Sequence, residues 1–148
     1  MADHVAEQIV AAAKAALTGL ATTGARVFDS RVYPVKETDC PCILIDQGEE
    51  QVGAGELYGF SRAVERTLQL HVIAKVEQNV DYRKTVNQIR KEVEIALAAA
   101  GGIGGAKWVQ PSSTLLELSG EGEKPIASGT MTFDVFYITA LSTPDVAL

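Results

Sequence analysis

Two cysteines, Cys40 and Cys42, flank Pro41, and with the histidines His4 and His71 they complete the soft ligands and ready nucleophiles of the chain. Residues two apart on an extended backbone point to one face. A thiol pair in that arrangement can hold a soft metal if further ligands join it, or attack a substrate if a histidine sits beside it. Here both histidines lie far off in sequence, and neither HExxH nor GxSxG occurs. Cys40 and Cys42 are therefore expected to be small, reduced, partly buried residues at a strand entrance. The run Gly101, Gly102, Ile103, Gly104, Gly105 offers the backbone freedom of a phosphate loop, but Lys107 is followed by Trp108 and the run closes a helix rather than opening one. It reads as a helix stop with a flexible turn. Glu121 and Glu123 beside Lys124 form a carboxylate pair on a Gly/Pro-rich turn, where solvent keeps the two pKa values from separating. His71 falls on the polar face of a strand with Glu65 and Lys75, and Arg62 and Arg66 read as isolated charges rather than an anion clamp. No catalytic residue, cofactor site or metal site is expected.

Composition narrows the partners. The 148 residues carry a formal charge of −6. That balance speaks against a sequence-independent nucleic-acid binder and against docking on an anionic membrane, both of which need a Lys/Arg excess. A 47% hydrophobic content in a chain of this length supports one domain, residues 1–148, with a core that needs neither disulfide nor metal. Asp3 and Glu7 at the start, and Lys14 within the first apolar run, do not make a signal peptide. The expected location is the cytosol where the chain is made.

The elements follow from periodicity. Val5, Ile9, Ala13, Leu17 and Leu20 step by four and three, predicting a helix with Asp3 as its N-cap and Gly19 and Gly24 at its exit. Residues 26–35 and 42–46 read as strands, with Pro34 at an edge or end and a polar turn over 36–39. In residues 64–76, Val64, Leu68, Leu70, Val72, Ala74 and Val76 share one face, while Glu65, Thr67, Gln69, His71 and Lys75 share the other. Such alternation indicates a sheet with one solvated face. Tyr82, Val86, Ile89, Val93, Leu97 and Ala100 predict a second helix over 80–100. Strands over 108–118 and 129–141 follow, joined by the turn-rich SGEGEKP, and the tail after Thr143 is expected to fray. The sum is an α+β domain: a mainly antiparallel or mixed sheet with two helices on one face.

Residues 48–61 stand apart. Four glycines and Glu49, Glu50 and Glu56 surround Leu57, Tyr58 and Phe60. A long glycine-rich loop within a small domain is uncommon unless it is functional or disordered. Aromatic residues beside charge are a usual makeup of contact surfaces. Glu49, Glu50, Glu56, Leu57, Tyr58 and Phe60 are therefore the expected partner contact, in a loop that orders against a neighbour.

Three phrases resemble one family. TGARVFDSRVYPVKETDCPCILIDQGEEQV (23–52), VERTLQLHVIAKVEQN (64–79) and LSGEGEKPIASGTMTFDVFYIT (118–139) are similar to the strand entry, the long amphipathic strand and the closing hairpin of phage tail terminator proteins of the lambda type. The resemblance implies a non-enzymatic structural protein of a phage or prophage virion. It would form a ring, usually hexameric, that caps the tail tube and joins the head-side connector. The partners implied are further copies of the chain, the tail tube protein and the head–tail connector protein. The resemblance carries no catalytic or metal residues. The SGEGEKP turn and its longer strand pair depart from the lambda pattern. The competing classes are another ring component of the neck or tail, and a small ligand-binding α+β domain marked by a well-formed apolar pocket.

Overall fold

Alternation over residues 64–76 obliges that strand to hide one face, and the other elements are arranged around this requirement. The computed structural model describes residues 2–29, 39–58, 61–77, 79–118 and 126–148, with the backbone alone at 56–58 and 61. In chain order the elements are α1 (Val5–Leu17), β1 (Val27–Asp29), β2 (Cys42–Tyr58), β3 (Ser61–Glu77), α2 (Tyr82–Ala100), a short 3-10 helix (Ile103–Gly105), β4 (Trp108–Leu118), β5 (Ile126–Ala140) and β6 (Thr143–Ala147). The sheet order is β1-β2-β3-β5-β4, with β6 added on β5. Among the described strands only the β1–β2 pair is parallel; β2–β3, β3–β5, β4–β5 and β5–β6 are antiparallel. The fold is α+β, with two helices and a mixed sheet of six strands.

The β3–β5 register carries the core. Leu68 faces Val135, Leu70 faces Phe133 and Val72 faces Met131, and all six are buried. They form one cluster with Val5, Ile9, Ala13 and Leu17 of α1 and Val86, Ile89, Val93 and Leu97 of α2, so both helices lie on the same sheet face. Burying a Leu or Phe side chain stabilises by about 1.5–3 kcal/mol, so this layer dominates the fold. Two glycines permit close packing. A Cβ on Gly129 of β5 would stand 2.4 Å from Cγ1 of Val86, where α2 crosses the sheet. Gly104 has φ +60°, and a Cβ there would lie 2.8 Å from the Ile9 backbone.

Several expectations are corrected. The first helix is capped by His4, whose Nδ1 accepts from the Ala6 N–H at 3.1 Å, and not by Asp3. The glycine run after α2 is a packed 3-10 element with Ile103 buried, not a loose turn, because Gly104 and Gly105 let it sit against α1 and Ala147. The tail after Thr143 is not frayed: β6 pairs with β5, and the Leu148 N–H donates to the Ile138 carbonyl at 2.8 Å. Residues 48–58 are strand rather than loop, continuing β2 in antiparallel register with β3 as far as Tyr58↔Ser61. The glycines misled because their cost in a strand interior is small beside the backbone hydrogen bonds that pair this stretch with β3. Of the strand expected over 26–35, Val27–Asp29 is strand; residues 30–38 and the 119–125 turn lie outside the described residues.

Gly129→Ala should lower stability by about 1–3 kcal/mol through overpacking against Val86. Combining it with Val86→Ala should recover part of that loss, read from denaturant midpoints. Acid should also act through Glu92. Burial raises its pKa, but hydrogen bonds from the Thr22 hydroxyl and N–H and from Gln88 outweigh it and hold the carboxyl below its ordinary value of 4.5. A depressed folded-state pKa stabilises above the unfolded value, and the gain is lost as pH falls through the folded value. Glu92→Gln should therefore flatten the fall in melting temperature below about pH 4.5 and leave fewer differences between variant and parent at the acid end.

Candidate assembly surface

Beyond the region covered by the helices, the same sheet face turns polar. Glu50 on β2, Arg66 on β3 and Tyr137 and Thr139 on β5 meet there. Register sets Glu50 opposite Leu68, and Arg66 opposite both Val52 and Tyr137, so the three strands deliver their side chains to one face. The Glu50 carboxylate accepts from the Tyr137 hydroxyl and from the Arg66 guanidinium at 3.2 Å. Arg66 Nε donates to the Thr139 hydroxyl at 3.3 Å. Tyr137 and Thr139 are fully buried, and the side chains of Arg66 and Glu50 are 14% and 18% exposed. Burial, and then the carboxylate of Glu50, push the Tyr137 phenol far above its ordinary value, so it stays protonated and donating at physiological pH.

The expected contact residues are distributed differently from a single loop. A register shift between Gln47 and Glu50 interrupts β2. Glu49 is exposed, with its carboxylate accepting from Gln51 Nε2 at 2.6 Å, whereas Glu50 is drawn into the network. Glu56, Leu57 and Tyr58 continue the same strand, Leu57 level with Arg62; Phe60 lies outside the described residues. Arg66, read as an isolated charge, is the cation of the network. The signal was available in the sequence: Arg66 occupies an apolar-phase position in an otherwise regular alternation, where a charge needs a buried partner.

At the opposite end of the sheet, β4 presents a second surface that periodicity did not reveal. Its other described neighbour is β5 alone, so its outer backbone edge is open among the described residues. Trp108 stacks on Phe136 with ring centroids 5.4 Å apart. Leu115 is 57% exposed, and Leu116 and Leu118 are exposed as well. No charged residue occurs from Trp108 to Leu116. Natural edge strands are guarded by charge, proline or bulges; Pro111 and the register shift at Pro111/Ser113 guard the middle of β4, while the uncharged residues 114–116 have no such guard.

The chemistry elsewhere is sparse. Cys40 and Cys42 are thiols, Cys42 buried, and burial raises the Cys40 pKa, which disfavours a thiolate nucleophile. Cys40 borders a cavity of about 140 Å³ lined also by Pro41, Val76, Glu77, Asn79 and Thr85. His71 is half-buried on the helix-free face against the Thr132 hydroxyl at 3.1 Å. Among the described residues no group of three or more His, Cys, Asp or Glu is placed to hold a metal ion, and no helix is long and apolar enough to cross a membrane.

Removing one partner of a desolvated ion pair costs more than removing the set. Arg66→Met should destabilise by about 3 kcal/mol, and Glu50→Leu with Arg66→Met and Tyr137→Phe by less, in urea titrations. A triple variant weaker than the single one would contradict the reading of this network. No family model matches the chain, and no curated protein matches it significantly.

Proposed function

We propose that this chain is a structural, non-enzymatic subunit of a bacteriophage or prophage tail, a tail terminator. In this reading its copies form a ring, hexameric as the resemblance implies, that caps the tail tube and then meets the head-side connector. Its partners are further copies of itself, the tail tube protein and the connector protein. It resides in the virion tail, and in the host cytoplasm during assembly.

The observation that carries the proposal is the exposed apolar end of the β4 edge, Leu115, Leu116 and Leu118. A sheet ending in a strand with no charge over its first nine residues, and with Leu115, Leu116 and Leu118 exposed, is incomplete as an isolated object. A subunit of a closed assembly is completed by its neighbours. The acidic balance of −6 is compatible with a passage that does not hold on to DNA.

The test is electron microscopy of the purified protein mixed with tail tubes of its own phage. Rings seated on one end of each tube, and tubes of uniform length, are expected. Rings that seat on the connector but never on tubes would make it another neck component; tubes ended by a different protein would reject the proposal.

A further inference from the structure

We infer that the free protein pairs with a second copy of itself across a two-fold axis, β4 against β4, antiparallel over residues 112–118 with Leu115 opposite its own counterpart. The pair is the state of the chain away from a tube. It goes beyond the ring reading, because a two-fold contact joins two copies and does not repeat around an axis.

The outer side of β4 is within reach of a partner. Among the described residues no strand lies beyond it. Leu115 is exposed on the helix-free face, level with Thr130, and Leu118 is exposed on the helix side, level with the buried Ala127. The undescribed residues are too few to screen Thr114 and Leu115. Residues 119–125 join Leu118 to Ile126 in eight steps of chain, at most about 29 Å. Running back to Thr114 and out again would take about 31 Å along the strand alone. Residues 30–38 leave from β1 and return toward β2, at the other margin of the sheet. Five strand spacings, about 24 Å, separate β1 from the far side of β4. The ten steps from Asp29 to Asp39, at most about 36 Å, cannot go there and come back.

Backbone phase and charge select a second copy as the occupant. The Phe136 and Ile138 carbonyls of β5 accept on the β4–β6 side, from the N–H groups of Lys107 and Leu148, and the Thr132 carbonyl accepts from the Ser112 hydroxyl. The even-numbered residues of β5 therefore aim their backbone groups at β4, and Thr130 exchanges its hydrogen bonds with Leu115. Alternation then turns the N–H and C=O of Thr114, Leu116 and Leu118 outward. With a two-fold axis at Leu115, Thr114 of each strand meets Leu116 of the other, and these outward groups satisfy one another. Leu115 meets its counterpart at a non-hydrogen-bonded position, where cross-strand side chains come closest. Ser113 meets Glu117, so no like charges oppose, and Pro111 with its register shift stays outside the paired stretch. A two-fold pair also needs only one kind of open edge, the same on both copies. The helices do not obstruct it. α2 crosses β5 with Val86 against Gly129, so three strand spacings, about 14 Å, separate the two α2 helices. That is wider than the roughly 8–10 Å of direct helix packing. Leu116 and Leu118 of both strands, level with Gly129 and Ala127 on the helix side, floor the trough between them.

Three variants test the pair. The unmodified protein should sediment as a dimer within a concentration series up to the millimolar range. Leu115→Cys sets two thiols across the axis at a distance a disulfide spans, so oxidation by a small-molecule disulfide should give a covalent dimer on a non-reducing gel. Ser113→Cys, about 14 Å from its own counterpart in this register, should cross-link at least tenfold more slowly. The unmodified protein, with its native thiols Cys40 and Cys42, should not cross-link. Leu116→Pro removes an outward N–H and leaves the hydrogen bonds to β5 in place. It should keep the thermal transition of the monomer and weaken dimerisation at least tenfold. An unmodified protein that stays monomeric would overturn the pair, as would equal cross-linking of Leu115→Cys and Ser113→Cys, or a folded Leu116→Pro variant that dimerises like the parent. Tail capping separates this from the functional reading. A monomeric protein that caps tubes removes the pair and leaves the tail role standing. A β4-paired dimer that ignores tubes does the reverse.

Discussion

The buried face of β3 is the constraint on which the other features depend. Leu68, Leu70, Val72, Ala74 and Val76 are each at most 3% exposed, and they can be so only if β3 has strands on both sides and helices above. A one-residue slip would turn this whole set to water. The register with β5 is therefore held over its full length, Ala63↔Ala140 to Glu77↔Ile126, without a shift. The irregularities are confined to the outer pairings: β2 shifts between Gln47 and Glu50 and between Ala54 and Leu57, and β4 shifts between Pro111 and Ser113. Strain and adjustment are thus displaced from the centre of the sheet to its margins, where bulges are most common.

The same face has two regimes. Under the helices it is apolar; past them, the Glu50–Arg66–Tyr137–Thr139 network replaces hydrophobic packing. A network of this kind adds little net stability compared with apolar packing, but it penalises any arrangement that leaves one member unpaired. It ties β2, β3 and β5 together beyond the described β1–β2 pairing.

Much of the core was legible in the sequence. Period-two alternation located β3 and the inward positions of β5, and the steps of three and four located α2 to within two residues at its start. These signals are strong because a single buried stripe sets them. The β2 extension was not legible. Four glycines in residues 48–59 resemble a loop locally, and the ladder to β3 that overrides them is a long-range term. β6 was missed for a similar reason: five residues containing Pro144 and Asp145 carry little strand propensity of their own, and are held by β5 and by Gln8 donating to the Asp145 carbonyl at 2.8 Å. Of the expected contact residues, Glu49 and Glu50 separate into one exposed and one networked carboxylate, and that separation follows from the register shift, which sequence does not display. The exposed β4 edge could have been noticed from the absence of charge between Lys107 and Glu117.

The central claim is that the sheet is finished by a neighbouring copy. Amide hydrogen exchange measured below and above the assembly concentration tests it most directly, because an open strand edge leaves outward N–H groups to water and a paired edge protects them. The account predicts that protection rises in β4, residues 108–118, while α1 and α2 keep their monomer rates. Protection that rises elsewhere and not along β4 would contradict it.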